Sequence, residues 1–221
     1  MTLDDNDLQI IANNSPNSSS ETALINAAVA LIFRDTEFGT EFLLIQRSFH
    51  EKDPWSGQMS FPGGKIDPVD ASAKDAAIRE TKEEVNLTLE DEDYIGYLGD
   101  ILGFKVDGQY KAKVSCYVFK VSKDLDLKGN NEVADIVWVP MSRLSKPQYA
   151  HVFFHPLDKA REIPAVMINS NKEQVLWGLT LRMLYRFLEK VERKMTVFNQ
   201  SQLQALRDLD KVSFNSHQQN T

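Results

Sequence analysis

Three glutamates near the middle of the chain, Glu80, Glu83 and Glu84, have a type and spacing suited to metal chemistry. They lie in segment 72–85, which contains no Gly or Pro and which we predict to be a helix. At 3.6 residues per turn the carboxylates share one face, where like charges cost roughly 0.2–0.5 kcal/mol per pair. A divalent cation, which prefers oxygen ligands, would turn that repulsion into binding energy. A solvated acidic face is the alternative interpretation.

Signals at both ends of this segment delimit the predicted helix. Ser72 can cap its N-terminus, and Asp75 stands where a capping box has Glu or Gln. Asn86 follows the last turn, where a residue in the left-handed conformation often ends a helix. Arg79 lies at the edge of the acidic face. The other side of the helix can face a core through Ile78, Thr81 and Val85.

A sharp turn, Pro62-Gly63-Gly64, comes before the helix, and its backbone amides and carbonyls can approach a ligand closely. The whole stretch from Phe61 to Leu87 resembles the Nudix box. The family pattern is Gly, five residues, Glu, seven residues, Arg-Glu, an apolar residue, one residue, Glu-Glu, one residue, Gly and an apolar residue. The chain therefore resembles the Nudix hydrolase superfamily.

Four departures from the family pattern are visible. Asp70 replaces Glu, and eight residues rather than seven separate it from Arg79. Thr81 occupies an apolar position, and Asn86 replaces the terminal Gly with the next best residue for left-handed geometry. None of these changes removes a charge from the helix. The Asp and the extra residue resemble the coenzyme A pyrophosphatase branch of the superfamily.

A second resemblance to that branch lies upstream of the box. The branch motif is Leu-Leu-Thr-x-Arg-Ser/Ala, three residues, Arg, three residues, Gly, three residues, Phe-Pro-Gly-Gly. Here Ile45 replaces Thr, Lys52 stands where Arg is expected, and Gly57 arrives one residue late. A lysine meets phosphate as a point charge rather than as a bidentate fork. A solvated loop lysine is the alternative interpretation of Lys52, and Arg47 is the better phosphate candidate.

The Nudix resemblance implies a metal site for Mg²⁺ or Mn²⁺. Glu80 and Glu84 would be ligands, together with a backbone carbonyl of the Gly63-Gly64 turn, for which Gly64 is our candidate. Glu83 would be a third ligand or would orient water.

The same resemblance implies roles for groups around the metal. Arg79 would brace the carboxylates, and Asp70 would hold the loop through Arg79. A carboxylate outside the box often serves as the base in this family, and Glu132 is the candidate here. We assign catalytic roles to Glu83, Arg79 and Glu132, and substrate binding to Arg47, Lys52, Gly63 and Gly64.

The implied activity is metal-dependent hydrolysis of a nucleoside diphosphate linked to another moiety. The branch resemblance favours coenzyme A or an acyl derivative, cleaved to adenosine 3′,5′-bisphosphate and 4′-phosphopantetheine. One alternative keeps the same chemistry but acts on ADP-ribose, a dinucleoside polyphosphate or a nucleoside triphosphate. The other is a Nudix module that binds a nucleotide and regulates something else, which loss of the box carboxylates would favour; all three are present.

Composition and charge limit the other functional classes to which the chain could belong. The 221 residues carry a net charge of −7, which argues against general nucleic-acid or membrane-surface binding. No apolar run is long enough to span a membrane, and the N-terminus lacks a signal-peptide core, so a cytoplasmic location is expected. The single cysteine, Cys116, excludes an intrachain disulfide and is expected to be a small buried hydrophobe. A small nucleotide is the expected partner, and a homodimer remains open.

Hydrophobic patterns predict the remaining elements. Strand–helix alternation alone predicts only α/β or α+β. The Nudix resemblance implies an α/β/α sandwich with a mixed sheet over residues 22–195, with the box helix on one side and a helix over 173–191 on the other. We expect a disordered arm over 1–21, an irregular region over 145–172 containing His151 and His155 in a loop, and a short helix at 201–209 before a frayed end. The predicted strands are 23–33 and 42–47, which could form a hairpin, then 94–102, 111–121, 133–139 and 163–167.

Overall fold

The computed structural model describes residues 2–14, 25–51, 55–104, 110–121, 125–155, 158–169 and 174–215. Its central element is a mixed sheet around β1, with neighbours on both sides. β1 is antiparallel to β2, as the predicted hairpin requires, and parallel to β6. The strands of this sheet are β1 (Ile25–Thr36), β2 (Gly39–Arg47), β3 (Met59–Ser60), β4 (Gly63–Lys65), β5 (Tyr94–Phe104), β6 (Tyr110–Lys120) and β7 (Val133–Pro140).

Alternation along the strands divides the core into two layers. In β1, Leu31 and Phe33 point into one apolar cluster, whereas Ala30 and Ile32 point into the other. Helix α2 (Ala73–Val85) covers the second layer, and helix α3 (Gly178–Lys190) covers the first. We call these the α2 face and the α3 face of the sheet. The predicted α/β/α sandwich with a mixed sheet is confirmed.

The closing helix is shorter than predicted at its N-terminus. The sequence pattern predicts a helix from Glu173, but α3 begins at Gly178, with Trp177 at the N-cap position. Val175–Leu176 instead form a short strand, β10, and Leu176 is buried there. Glu173 itself lies outside the described residues. The apolar stripe could not reveal this boundary, because Leu176 is buried in either conformation.

A second, three-stranded sheet corrects the prediction of an irregular region over 145–172. Strands β8 (Ala150–His155) and β9 (Asp158–Met167) form a hairpin, and β10 pairs with β9. His151 and His155 therefore lie in a strand rather than in a loop. Short 3-10 helices at Asp91–Asp93, Met141–Ser145 and Pro147–Tyr149 complete the connections.

The N-terminal residues also differ from the predicted disordered arm. Helix α1 (Asp5–Ala12) has Asp4 as its N-cap in a capping box with Asp7. Ile11 is fully buried in the α3-face core, and Arg193 bonds the Asp7 carboxylate at 2.7 Å. Segment α1 is therefore ordered by its packing against distant parts of the chain, which its mostly polar sequence does not indicate. Residues 15–24 lie outside the described part.

The C-terminal helix α4 (Gln200–Asn215) is longer than the predicted 201–209. Its cap is Asn199 rather than Ser201: Asn199 Oδ1 accepts from the Gln202 amide at 2.9 Å, and Gln202 returns a contact to the Asn199 amide. In the described part of the chain, no helix has the length and apolar character needed to cross a membrane.

Candidate active site

Helix α2 begins and ends where its sequence predicts. The Ser72 side chain accepts from the Asp75 amide, and Asn86 closes the helix in the left-handed conformation with a φ of 57°. Ala76 and Ala77 are fully buried, so small side chains let the helix lie close to the sheet. This seating brings the last two turns of α2, which carry the glutamates, to Gly63-Gly64. Both glycines pair with β1 as the start of β4, which corrects the prediction of a turn at these positions; only Pro62 lies in a bend.

The three glutamates share a side of α2 but differ strongly in exposure. The Glu84 side chain is 2% exposed, that of Glu80 15% and that of Glu83 53%. On the predicted acidic face, the exposure of the carboxylates therefore falls from Glu83 through Glu80 to Glu84. A solvated face does not bury a carboxylate in this way, so the alternative interpretation of the acidic pattern does not describe Glu84.

The two glycines let the backbone approach the carboxylates. The Gly63 amide donates to Glu84 Oε2 at 2.9 Å. A Cβ at Gly63 would lie 2.3 Å from the Ala28 carbonyl oxygen, and its φ of 148° disfavours any other residue. At Gly64 an added Cβ would lie 2.5 Å from Glu80 Cδ. Both positions therefore require glycine for the site to keep this shape.

Arg79 connects the acidic groups. Its guanidinium binds Asp70 through two contacts of 2.9 and 3.0 Å, which lower the pKa of that carboxyl. Its Nη1 also donates to Glu80 Oε1 at 2.9 Å and lies 3.4 Å from Glu83. The pKa of Arg79 is raised, chiefly by the hydrogen bond to Asp70. Arg79 thus contacts Asp70 and both glutamates at once, and its proposed bracing role rests on these contacts.

Burial makes two of the carboxylates hard to ionise. Desolvation raises the pKa of Glu84 to about 7, although the Gly63 amide and Arg47 oppose the shift. The pKa of Glu80 is also raised, again chiefly by desolvation, against the opposing effect of Arg79. The neighbouring negative charges, Glu132 among them, add to both shifts. A cation placed between these carboxylates would relieve that cost.

Two residues from outside the box reach the site. Arg47, at the end of β2, has its Nη1 3.9 Å from Glu84 Oε1. Glu132 is exposed in the turn before β7, and its charge acts on both Glu80 and Glu84. The structure thus gathers every predicted site residue except Lys52, which lies outside the described residues.

Asn130 is a supporting residue that the sequence analysis did not assign. Its amide donates to the Glu84 carbonyl at 3.0 Å, and its side-chain oxygen accepts from the Glu132 amide at 2.8 Å. Asn130 therefore connects the end of α2 to the turn that carries Glu132. The Asn130-Asn131 pair is a turn signal in the sequence, but its partner on α2 is visible only in the fold.

The donor set fits a hard divalent cation. Carboxylate oxygens of Glu80 and Glu84 and the Gly64 backbone are the ligand types that Mg²⁺ and Mn²⁺ prefer. In the described residues no three His, Cys, Asp or Glu side chains already converge as a metal cage. Arg79 instead engages Glu80, and the Gly63 amide engages Glu84. The fit rests on the donor chemistry and on the close seating of Glu80 against Gly64.

Comparisons with known proteins identify the family of the chain. The sequence model of the NUDIX domain matches residues 24–159, which is more than half of the chain, so the chain belongs to the Nudix family. It is 28% identical over 168 residues to a probable nudix hydrolase of Schizosaccharomyces pombe, covering 75% of this chain and 55% of that protein. It is 33% identical over 142 residues to the uncharacterized Nudix hydrolase NudL of Escherichia coli K12, covering 62% of this chain and 68% of the relative.

A solved structure supports the fold. The MutT/nudix family protein from Enterococcus faecalis superposes with a TM-score of 0.56 at 17% identity, covering 86% of this chain and 70% of the other. At that identity the likeness concerns the architecture alone. The Nudix resemblance inferred from the box is confirmed at the level of the family.

Proposed function

We propose that this protein hydrolyses a diphosphate linkage in a nucleotide and depends on Mg²⁺ or Mn²⁺. The observation that carries the proposal is the approach of Glu80 and Glu84 to the Gly63-Gly64 backbone at the start of β4, with Arg47 beside them. Buried carboxylates with raised pKa values, lying between two backbone glycines and an arginine, suit a cation and a phosphate together. Membership in a hydrolase family supports the same reaction.

The metal would be held by Glu80, Glu84 and the Gly64 carbonyl, with Glu83 as a third carboxylate or as a group that orients water. A bound divalent ion lowers the pKa of water and offsets phosphate charge in the transition state. Glu83 suits the water-orienting role because it is half exposed and only 3.4 Å from Arg79.

The remaining side chains act on the substrate and on the nucleophile. Arg47 offers charge-assisted hydrogen bonds to a phosphate oxygen, and Lys52 is proposed to add a second positive charge. Glu132 is our candidate to take the proton from the attacking water, because it is exposed and close enough to influence Glu80 and Glu84. Arg79 keeps Glu80 and Glu83 in place rather than touching the substrate.

For the substrate we propose coenzyme A or an acyl-coenzyme A, cleaved to adenosine 3′,5′-bisphosphate and 4′-phosphopantetheine. The support is the resemblance over Leu43–Gly64 and the Asp70 spacing. With a net charge of −7, the chain needs a local positive patch to hold a substrate that carries a 3′-phosphate. Arg47 and Lys52 are the proposed members of that patch.

A substrate panel with Mg²⁺ or Mn²⁺ and product identification tests this proposal. Coenzyme A should be cleaved at its diphosphate, and dephospho-coenzyme A should be poorer by roughly ten- to a hundredfold in kcat/KM, because charged hydrogen bonds contribute about 1.5–3 kcal/mol. Much faster cleavage of ADP-ribose or a nucleoside triphosphate would reject the coenzyme A assignment and keep the diphosphatase. Failure to cleave any diphosphate with either metal would favour a nucleotide-binding regulatory module.

A further inference from the structure

The strand pair that presents Arg47 is irregular at its end. Along β2 and β7, Gln46 pairs with Asp135, but the next residue, Arg47, pairs with Val133. Ala134 is therefore an extra residue, and the pair contains a β-bulge immediately before the site. Bulges re-aim the residues that follow them and are frequent beside active sites. Here the residues that follow are Arg47 on one strand and, in the turn preceding the other, Glu132.

A buried amide from outside the matched Nudix region spans this irregular position. Gln174 lies just before β10, is 7% exposed, and follows the end of the family match at residue 159. Its Nε2 donates to Asp135 Oδ2 at 2.6 Å and to Gln46 Oε1 at 3.3 Å. Gln174 thus bonds both members of the last regular pair before the bulge.

The other side of the Gln174 amide is also occupied. Gln174 Oε1 accepts from Asn169 Nδ2 at 3.1 Å, so both donor hydrogens and the acceptor of this side chain have partners. Gln46 extends the network, since its Nε2 donates to the Gly57 carbonyl at 3.4 Å. The network therefore runs from the small sheet, through the bulged strand pair, to the end of the loop that follows Arg47.

The contacts on the two sides of the sheet are linked by strand alternation. Gln46 and Arg47 are consecutive, so Gln46 points to the α3 face, where Gln174 lies, and Arg47 points to the α2 face, towards Glu84. The amides next to the bulge are also engaged: Arg47 donates to the Gln58 carbonyl at 3.0 Å and Ser48 to the Glu132 carbonyl at 2.8 Å. Holding Gln46 therefore constrains the backbone that aims Arg47.

We propose that Gln174 is a positioning residue for the phosphate-binding side of the active site. By bonding Gln46 and Asp135 it fixes the bulge, and through it the Arg47 side chain and the Ser48–Glu132 contact. Its catalytic consequence rests on the proposed function, because it acts through Arg47. The three-stranded sheet then has a defined role: it delivers this amide to the back of the active site.

Hydrogen exchange at single amides tests the positioning without any turnover. In Gln174→Ala, the amides of Arg47 and Ser48 should exchange at least about tenfold faster than in the wild type, because their carbonyl partners are no longer held in register. Ser115→Ala is the matched control: it removes a 2.7 Å hydrogen bond from a buried serine to Asp100 elsewhere in the sheet and should leave both amides protected. Unchanged protection in Gln174→Ala would overturn the proposal. If Gln174→Ala does not fold, Gln174→Met, which keeps the side-chain length and removes the donors, decides in the same way.

Kinetics then separate positioning from general stability. On the substrate found by the panel, Gln174→Ala should lower kcat/KM roughly tenfold, and the loss should disappear in an Arg47→Ala background, as expected for residues that act as a unit. An equal loss in both backgrounds, or an equal loss in Ser115→Ala, would show a merely structural role and overturn the inference. If the wild type cleaves no diphosphate, the proposed function fails, and the exchange rates alone decide the positioning.

Discussion

The two faces of the central sheet are built from the same strands but have different chemistry. On the α3 face, Phe187 packs edge-on against Phe42 at 5.7 Å and also against Phe33 at 6.3 Å. All three rings are completely buried. On the α2 face, the helix contacts the sheet through Ala76 and Ala77, and the buried Glu84 occupies a place where an apolar residue would be more stable.

This difference separates the face that is stabilised by apolar burial from the face that carries a buried carboxylate. Large apolar side chains on the α3 face contribute burial free energy without polar groups to satisfy. Small residues on the α2 face bring a helix close enough for its carboxylates to meet the Gly63-Gly64 backbone at the start of β4. The α2 face therefore accepts a carboxylate with a raised pKa, which a bound cation would stabilise. Substitutions on the two faces should separate stability from activity.

The largest effect is expected on the α3 face. Phe187→Ala should lower the free energy of unfolding by about 3–5 kcal/mol, because it leaves a cavity between two rings and the core of α3. Below the lowered melting temperature, kcat per folded molecule should stay within about twofold of the wild type. Thermal unfolding and turnover on the same samples check this. A specific loss of kcat in fully folded protein would contradict the separation of the two faces.

The buried charge on the α2 face should make stability depend on pH in the absence of metal. The pKa of Glu84 is about 7 in the folded protein and 4.5 in the ordinary case, so the folded state holds the proton more tightly. Its contribution is fully present below pH 4.5 and is lost as pH rises through 7. At ~1.4 kcal/mol per pKa unit, Glu84→Gln should be more stable than the wild type at pH 8 by on the order of 3 kcal/mol.

Denaturant unfolding in a chelator, at pH 4 and pH 8, measures this difference. The two proteins should have similar stability at pH 4, where the glutamate is neutral like glutamine. Divalent metal should reduce the difference at pH 8 by stabilising the wild type more than Glu84→Gln. Equal stabilities at pH 8 without metal would show that the ionised Glu84 carboxylate does not destabilise the folded protein.

The same substitution should reduce activity. Glu84→Gln is expected to lower turnover at least about a hundredfold, or about 2.7 kcal/mol of barrier, because it removes a charged ligand of the metal. Circular dichroism should show an unchanged fold. Near-normal turnover in folded Glu84→Gln protein would reject the active-site assignment.

The smallest effect is expected at the brace. Asp70→Asn keeps the shape of the side chain but weakens the bidentate contact with Arg79, so Arg79 is less firmly held against Glu80 and Glu83. We expect roughly a tenfold loss of kcat, since small misplacements of positioned groups are costly. Steady-state kinetics at saturating metal measures it. A loss as large as that of Glu84→Gln would mean that Asp70 acts directly in the reaction.

Local sequence was sufficient for the elements whose signals are local. The cap at Ser72, the left-handed end at Asn86 and the β1–β2 hairpin all follow from residue types and spacing within one element or between neighbours. The Nudix family also followed from the box, because the residues that define its pattern lie in a single helix and the short glycine segment before it. Burial of Cys116 was expected from its alternating strand and is observed.

Tertiary structure alone decided the features that depend on distant partners. Helical spacing puts Glu80, Glu83 and Glu84 on one side but cannot tell that Glu84 is buried and Glu83 exposed, because the seating of α2 on the sheet sets that difference. The docking of α1 and the small sheet of β8, β9 and β10 were missed for the same reason: weakly patterned segments gain their order from contacts far away in sequence. Gln174 is the clearest example, since its partner Gln46 is 128 positions earlier in the chain.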